Sequence, residues 1–572
     1  MAGLFLVQTR DRSFADSAMA VARDQFALHG FAGCTERAVG GWRLLHAPYV
    51  LGGPDTLLVA GDDLVAVAGT LTCDGRMGRP ALEALLAMER PDWSRLGGQF
   101  VAVVHRAGRT LLFTDYFAAF QLFHDAGRRF FSTSLLAAAR ALPRLSFDPQ
   151  GVYEFAFNVV PVGNDTVFAE LRTLGPDELI ELGDSAVGRR IEKPLPEASV
   201  TMPLQERIAV HRERLGAVVR AHVGQFGDAI FCPLSGGLDS RLVLAALRAE
   251  GCDPSLYVYG GEESSDVRIA RAIAPDIEWR DKEAFRAVAP DEFPEQVERN
   301  FQAYDGLPNY GELFENGGNE AARRARHAGG ALSASGGCGE IFRNFFFLPD
   351  RPLSAAAVAR TFFARFAKGD GTGLFDETAF LRAIEDKLLA ALGAAGERGR
   401  LPRPLLEQLY PRVRCRALFG REISLEARYG AYLMPFLDHG LVAEAMRLPL
   451  ALKNAGRFEA MLLNAIDPEL ARRPSAYGHD FAGPPSRRHL FDEWATRLRP
   501  VALRRRSYPL RRRLGPVADE HGGLLTPEHM GRVVDLDYPA MRRFFRTDRI
   551  TDSGMMRRIA NLEYLAGRLG VT

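Results

Sequence analysis

The stretch Ile230-Phe231-Cys232-Pro233-Leu234-Ser235-Gly236-Gly237-Leu238-Asp239-Ser240-Arg241 decides the fold of this chain. A short apolar run reads as a buried strand, and the RLVLAALRAEG that follows has the spacing of a helix. Between them, paired glycines let backbone N–H groups approach a ligand closely, and the helix aims its positive end at the same spot. Such a place suits a pyrophosphate. Ser235 and Ser240 add hydroxyl donors, and Asp239 puts a carboxylate where a Mg²⁺ bridging phosphates would sit. A bare Gly-Gly before a helix would suit a turn that needs glycine for backbone geometry only. The full S-G-G-x-D-S string after an apolar strand favours phosphate binding, and the P-loop string G-x-x-x-x-G-K-[ST] is absent.

Outward from this loop the chain alternates strand and helix. A helix from Leu204 to Val223 precedes the strand; SLYVYG reads as a second strand, SSDVRIARAIA and NEAARRARHAG as helices, and ALSAS as a further short strand. That rhythm predicts βαβ units on a parallel sheet. Residues 57–134 read differently, as short strands and turns of a layered antiparallel sheet, with more strand around TVFAELRTLGPDELIEL. The proline-bearing stretch Glu192 to Pro203 marks the boundary between the two rhythms. From about Arg351 the spacing is mostly helical.

The bulk properties narrow the class of protein. With 572 residues, 47% hydrophobic and 25% charged, the chain is globular in composition and long enough for two or three domains. A net charge of +1 gives no global attraction to nucleic acid or membrane. The six cysteines form no C-x-x-C pair and are expected to be reduced thiols in a cytoplasmic protein. No signal segment or membrane span is expected. Only five of the 72 basic residues are lysine, so few lysines are available for catalysis.

At Pro233 to Arg241 the sequence resembles the ATP-pyrophosphatase family, in which ATP is cleaved between its α and β phosphates and AMP passes to a substrate oxygen. Within it the chain looks most like the asparagine synthetases and their relatives, the β-lactam synthetases and lasso-peptide cyclases. The resemblance implies an α/β fold: a degenerate N-terminal-nucleophile sandwich of the class II glutamine amidotransferase kind over 1–195, a parallel-sheet ATP-pyrophosphatase domain over 204–490, and an Arg-rich helical extension over 491–572.

The resemblance also carries site residues. The nucleotide is expected on Ser235, Gly236, Gly237, Asp239 and Ser240. Ser335-Gly336-Gly337-Cys338-Gly339-Glu340 matches the family's second glycine-rich turn, so Gly336 and Gly339 are expected at the nucleotide, and Glu340 joins Asp239 as a metal ligand. Gly337 stands where relatives have an acidic or tyrosine residue near the amine. SLYVYG and Asp266 match the adenine and ribose region, with Val258 and Gly260 as backbone-facing candidates. LEARYGAYLMPFLD resembles the L-E-A-R-x-P-F-L-D signature with a longer loop; Asp438 is its safer acidic match than Glu426, and a helix N-cap is an equal reading of Asp438. In relatives a downstream lysine meets the phosphates. Here Ser475 holds that place, and Arg473 or Arg343, with Arg472 as a further candidate, is expected to supply the cation. Lys453 is expected to be structural.

Glutamine-dependent relatives begin, after Met removal, with a nucleophilic cysteine; this chain has Ala2. Asp115 is retained in the matching region, whereas Thr70, Cys73, Ala119 and Gln121 depart from an active glutaminase. The β-lactam synthetases also lack that cysteine, and there the substrate itself brings the amine. Residues 497–514 carry two arginine triplets, readable as a polyanion clamp, an RNA contact, a lid over ATP or a solvated basic helix.

The expectation is therefore a cytoplasmic, AMP-forming carbon–nitrogen ligase that uses ATP and Mg²⁺ to adenylate a small-molecule or peptide carboxylate. An amide then forms with ammonia or a substrate amine. No membrane or nucleic-acid partner is expected, and the oligomeric state is open, with a homodimer among the options. The alternatives are a noncatalytic nucleotide-binding relative and another ATP-pyrophosphatase chemistry such as tRNA modification.

Overall fold

A strand buried on both faces needs a run of apolar residues, and residues 64–69 of the strand Asp63–Cys73 supply one. In the computed structural model, which describes residues 3–280, 288–309, 312–514 and 526–571, this strand lies in a six-stranded antiparallel sheet beside Leu96–Arg106. Its side chains alternate between two cores. Leu64, Ala66 and Ala68 face the main core, while Val65, Val67 and Leu71 face a smaller one under the helix Arg79–Leu86. A second six-stranded antiparallel sheet is built around Gly3–Gln8 paired with Trp42–Ala47, and the helix Arg12–Leu28 packs on it. The N-terminal part is thus two antiparallel sheets with helices outside them. Ala2 lies outside the described residues.

After Arg190, where the last antiparallel strand ends, the chain runs without regular structure to the helix Leu204–Phe226. The parallel sheet follows: β1 (Ile230–Pro233), β2 (Ser255–Tyr259), β3 (Glu278–Arg280), β4 (Leu332–Ala334) and β5 (Tyr432–Leu433). Its order is β3-β2-β1-β4-β5, with every neighbouring pair parallel. Strands two and three are laid down on one side of β1 and strands four and five on the other. The switch between β1 and β4 leaves a crevice at the carboxyl ends of these two strands, the place where open α/β sheets bind ligands.

The remainder is mostly helical, including the ten-residue π-helical stretch Tyr410–Phe419, whose wider turn is the kind of irregularity that recurs at functional sites. No helix among the described residues is long and apolar enough to cross a membrane. The fold is a mixed α/β one, with antiparallel sheets first and a parallel sheet after them.

Candidate active site

Both glycine-rich segments emerge at the crevice. Ser235 to Ser240 follows β1, and Ser335 to Glu340 follows β4. The first loop is held shut from within. Ser235 donates its backbone N–H to Ser240 Oγ at 3.0 Å, Gly236 donates to Asp266 Oδ1 at 2.8 Å, and Gly237 donates to Ser235 Oγ at 3.2 Å. Asp266 is thus a brace for the loop. The donors left over belong to the helix Leu238–Ala249, whose N-cap, Gly237, has no side chain to bond them. A Cβ built on Gly237 would meet only Ser235 Oγ, at 3.5 Å, so the space before this helix end is open. An uncapped N-terminus facing open space suits phosphate oxygens.

The second turn packs directly on that helix start. A Cβ on Gly336 would lie 2.8 Å from the Ser240 nitrogen, and one on Gly339 would lie 1.9 Å from Asp239 Oδ1. Both positions need glycine because the two turns touch. At Gly337 a Cβ would meet Phe419 and Met434 at 2.9 and 3.0 Å, so the space for a side chain there is filled by these two.

The charged floor of the site centres on Arg343. Its Nη2 is 2.6 Å from Asp239 Oδ1 and its Nε donates to Glu459 Oε2 at 2.8 Å. Glu459 is fully buried, and burial, with the negative charge of Asp239 adding to it, raises its pKa well above the usual carboxylate range. One guanidinium therefore faces two carboxyl groups that share it. Next to them Tyr410 donates its hydroxyl to Glu340 Oε2. Burial raises the Tyr410 pKa, and the Glu340 charge adds to the effect, so Tyr410 acts as a donor.

Glu340 and Arg343 line a cavity of about 790 Å³ whose walls also include Phe345, Phe362, Arg414 and Tyr477. Among the described residues no three carboxylate, histidine or cysteine side chains converge as a metal cage. A Mg²⁺ here would take Asp239 in competition with Arg343, and Glu340 in competition with the Tyr410 hydroxyl, with its other ligands drawn from phosphates and water.

Of the other expected residues only Lys453 lines this cavity. Arg473 is exposed, is not part of the cavity wall, and has its carbonyl oxygen held by Arg241 Nη1 at 3.0 Å. Ser475 closes its own turn, donating to the His479 carbonyl and accepting from the Tyr477 N–H at 3.1 Å. Val258 is buried within β2. Gly260, at φ +145°, has both backbone groups taken: its N–H by the Arg280 carbonyl and its oxygen by Trp279 Nε1 at 2.9 Å. Asp438 caps the helix His439–Met446 by accepting from the Leu441 N–H. Glu426 is buried against Arg323, Arg326 and His327; burial alone would raise its pKa, but these neighbours pull it far below the usual range. Lys453 is buried and bonded to Glu407 at 3.3 Å.

Sequence reasoning missed Glu459 and Tyr410. Glu459 carried one signal: it lies among Phe458, Leu462 and Leu463 on the buried face of the helix Arg457–Ile466, and an acid on an apolar face needs a partner.

No protein-family model matches this chain, and no curated protein is similar to it. Among solved structures, it is similar to the "structure of the allosteric regulatory enzyme of purine biosynthesis", with 10% identity, a TM-score of 0.23, and coverage of 44% of this chain and 64% of that one. It is likewise similar to a glutamine phosphoribosylpyrophosphate amidotransferase from B. subtilis complexed with ADP and GMP, with 10% identity, a TM-score of 0.23, and coverage of 49% of this chain and 65% of that one. The chain spans just under two thirds of the length of these structures. A likeness at that level carries no argument about fold or activity.

Proposed function

We propose that the chain is an ATP-dependent ligase of the asparagine synthetase kind, which adenylates a carboxylate, releases pyrophosphate and joins the acyl group to an amine. The observation that supports it most is the uncapped start of the helix Leu238–Ala249 at the β1–β4 switch point, packed against Gly336 and Gly339 and close to a ligand-sized cavity. ATP supplies the leaving group when bound. The chain's own part is to hold the phosphates on the first-turn N–H groups, with Ser235 and Ser240 beside them. Arg343 is the cation placed to offset charge building on phosphorus, and the cavity holds the carboxylate substrate.

Glutamine is not the amine source in this reading, because Ala2 cannot act as a nucleophile. The amine comes from ammonia in solution or from the substrate, in the cytoplasm and with Mg²⁺ accompanying the nucleotide. A second reading, a nucleotide-binding relative without turnover, draws support from the filled space at Gly337 and from Ser475, whose hydroxyl is spent within its own turn.

Carboxylate-dependent exchange of labelled pyrophosphate into ATP tests the proposal. Exchange in the wild type that Gly237→Asp abolishes, by placing a carboxylate before the helix end, supports the ligase. ATP binding without exchange for any member of a broad carboxylate panel supports the noncatalytic relative.

A further inference from the structure

The arginine-rich segment has no part in the reading above. Residues Val501–Leu514 form a helix packed against the helix Ala355–Phe362, and Arg504 anchors it by donating to the carbonyl oxygens of Phe346, at 3.1 Å, and Phe347, at 2.5 Å. The side chains of Arg511, Arg512 and Arg513 lie outside the described residues. The two helices form a wall with a cavity on each side. Phe362, Arg504 and Ser507 face the site cavity, whereas Ala357, Arg360, Val501 and Arg506 face a second cleft of about 660 Å³.

That second cleft is strongly basic. Arg360, Lys368, Arg505 and Arg506 line it with a single carboxylate, Glu377, which is paired with Arg505. Arg360, Lys368 and Arg506 form no ion pair among the described residues. A smaller cleft of about 320 Å³ shares Ser354 and Ala357 with it and adds Arg351 and Arg400, so the basic lining continues along the surface. Cations held close together repel one another, and a concave arrangement of them concentrates anions. The volume lies within the range of small-molecule sites. Guanidinium groups match phosphate oxygens through paired N–H donors, and a row of them matches adjacent phosphates better than one carboxylate.

We infer that this cleft is a second anion-binding site, separate from the glycine-rich loops, which takes a ligand carrying adjacent phosphates through Arg360, Lys368 and Arg506. A free polyphosphorylated molecule and an RNA backbone both present that chemistry.

The test is tripolyphosphate binding, by calorimetry at about 0.15 M salt, to the full chain carrying Gly237→Asp, so that the glycine-rich loop does not contribute. Binding is expected, with affinity falling at least tenfold when Arg360→Ala and Arg506→Ala are added and retained with Arg360→Lys and Arg506→Lys. Competition by a single-stranded RNA of about 12 nucleotides, with the same residue dependence, assigns the cleft to nucleic acid. Failure of RNA to compete assigns it to small polyphosphates; either result upholds an anion site. No binding to the Gly237→Asp protein, or binding that the two alanine substitutions leave unchanged, overturns the inference. Because the loop is disabled throughout, the outcome does not depend on whether the ligase reading holds.

Discussion

Arg343→Met is the most informative single change in the site. Arg343 is the guanidinium shared by Asp239 and Glu459, at 2.6 and 2.8 Å, and the Glu459 side chain is fully buried whereas that of Asp239 is about a quarter exposed. Removing one partner of a buried ion pair costs roughly 3 to 5 kcal/mol when the other stays charged. Glu459 has a way out, because burial already raises its pKa and loss of Arg343 raises it further. A folded-state pKa above the unfolded value of about 4.3 means that the folded protein binds more protons, so stability falls as pH rises. The penalty of Arg343→Met should therefore be smaller at pH 5, where proton uptake by Glu459 can relieve it, than at pH 8, where it approaches about 3 kcal/mol. Urea unfolding at the two pH values measures it, and adding Glu459→Gln should remove most of the pH dependence. Pyrophosphate exchange should fall by about 10² in the same variant, the scale of losing one transition-state donor. A stability penalty equal at pH 5 and pH 8, or one that Glu459→Gln leaves untouched, refutes the shared-guanidinium account.

Gly339→Ala forces a Cβ into Asp239 Oδ1 and should cost about 1 to 3 kcal/mol of stability and about 10² in exchange rate; wild-type exchange would show that the two turns need not touch. Arg473→Ala should change exchange less than about threefold, since the side chain is exposed and away from the cavity wall, and a loss near 10² would move the catalytic cation there. Lys193 is buried over the Trp93 ring at 4.2 Å with its Nζ bonded to the Asp115 carbonyl oxygen at 2.7 Å, and burial lowers its pKa to about 7. Above that pH the unfolded chain binds the extra proton, so the wild type should gain about 2 kcal/mol over Lys193→Met between pH 6.5 and 8.5, checked by urea unfolding at each pH; a constant difference would place the Lys193 pKa outside this window.

The parts of the fold legible in the sequence are those whose signal is local. Ile230 to Ala249 states its strand, loop and helix within twenty residues, and the alternation of SLYVYG, SSDVRIARAIA and ALSAS gave the parallel sheet. The charged floor was not legible, because it is assembled across long separations. Arg343 meets Asp239 from 104 positions away and Glu459 from 116, and Tyr410 meets Glu340 from 70. Sequence spacing carries no trace of such pairings. Arg473 illustrates the opposite error: alignment with a lysine position fixes where a backbone segment runs, while the direction of its side chain depends on Arg241, which holds the Arg473 and Pro474 carbonyls from below. The arginine triplets read as charge alone, yet Arg504 spends its donors on carbonyl oxygens, as a structural clamp does.

Thr70, Cys73, Ala119 and Gln121, the positions expected to depart from an active glutaminase, have a structural reading of their own. Thr70 accepts the backbone N–H of Tyr432, the first residue of β5, at 2.9 Å. Gln121 donates its backbone N–H to Ser424 Oγ at 3.0 Å. The Ala119 carbonyl sits so close to Gly420 that a Cβ there would lie 2.4 Å away. Three of the four departing positions thus touch the second half of the chain, and two of these contacts reach the helix Gly420–Glu426, which directly follows the π-helical stretch bearing Tyr410. β5 in turn pairs with β4, whose end carries the second glycine-rich turn. The N-terminal part thus braces the strand and helix beside the elements that carry Glu340 and Tyr410.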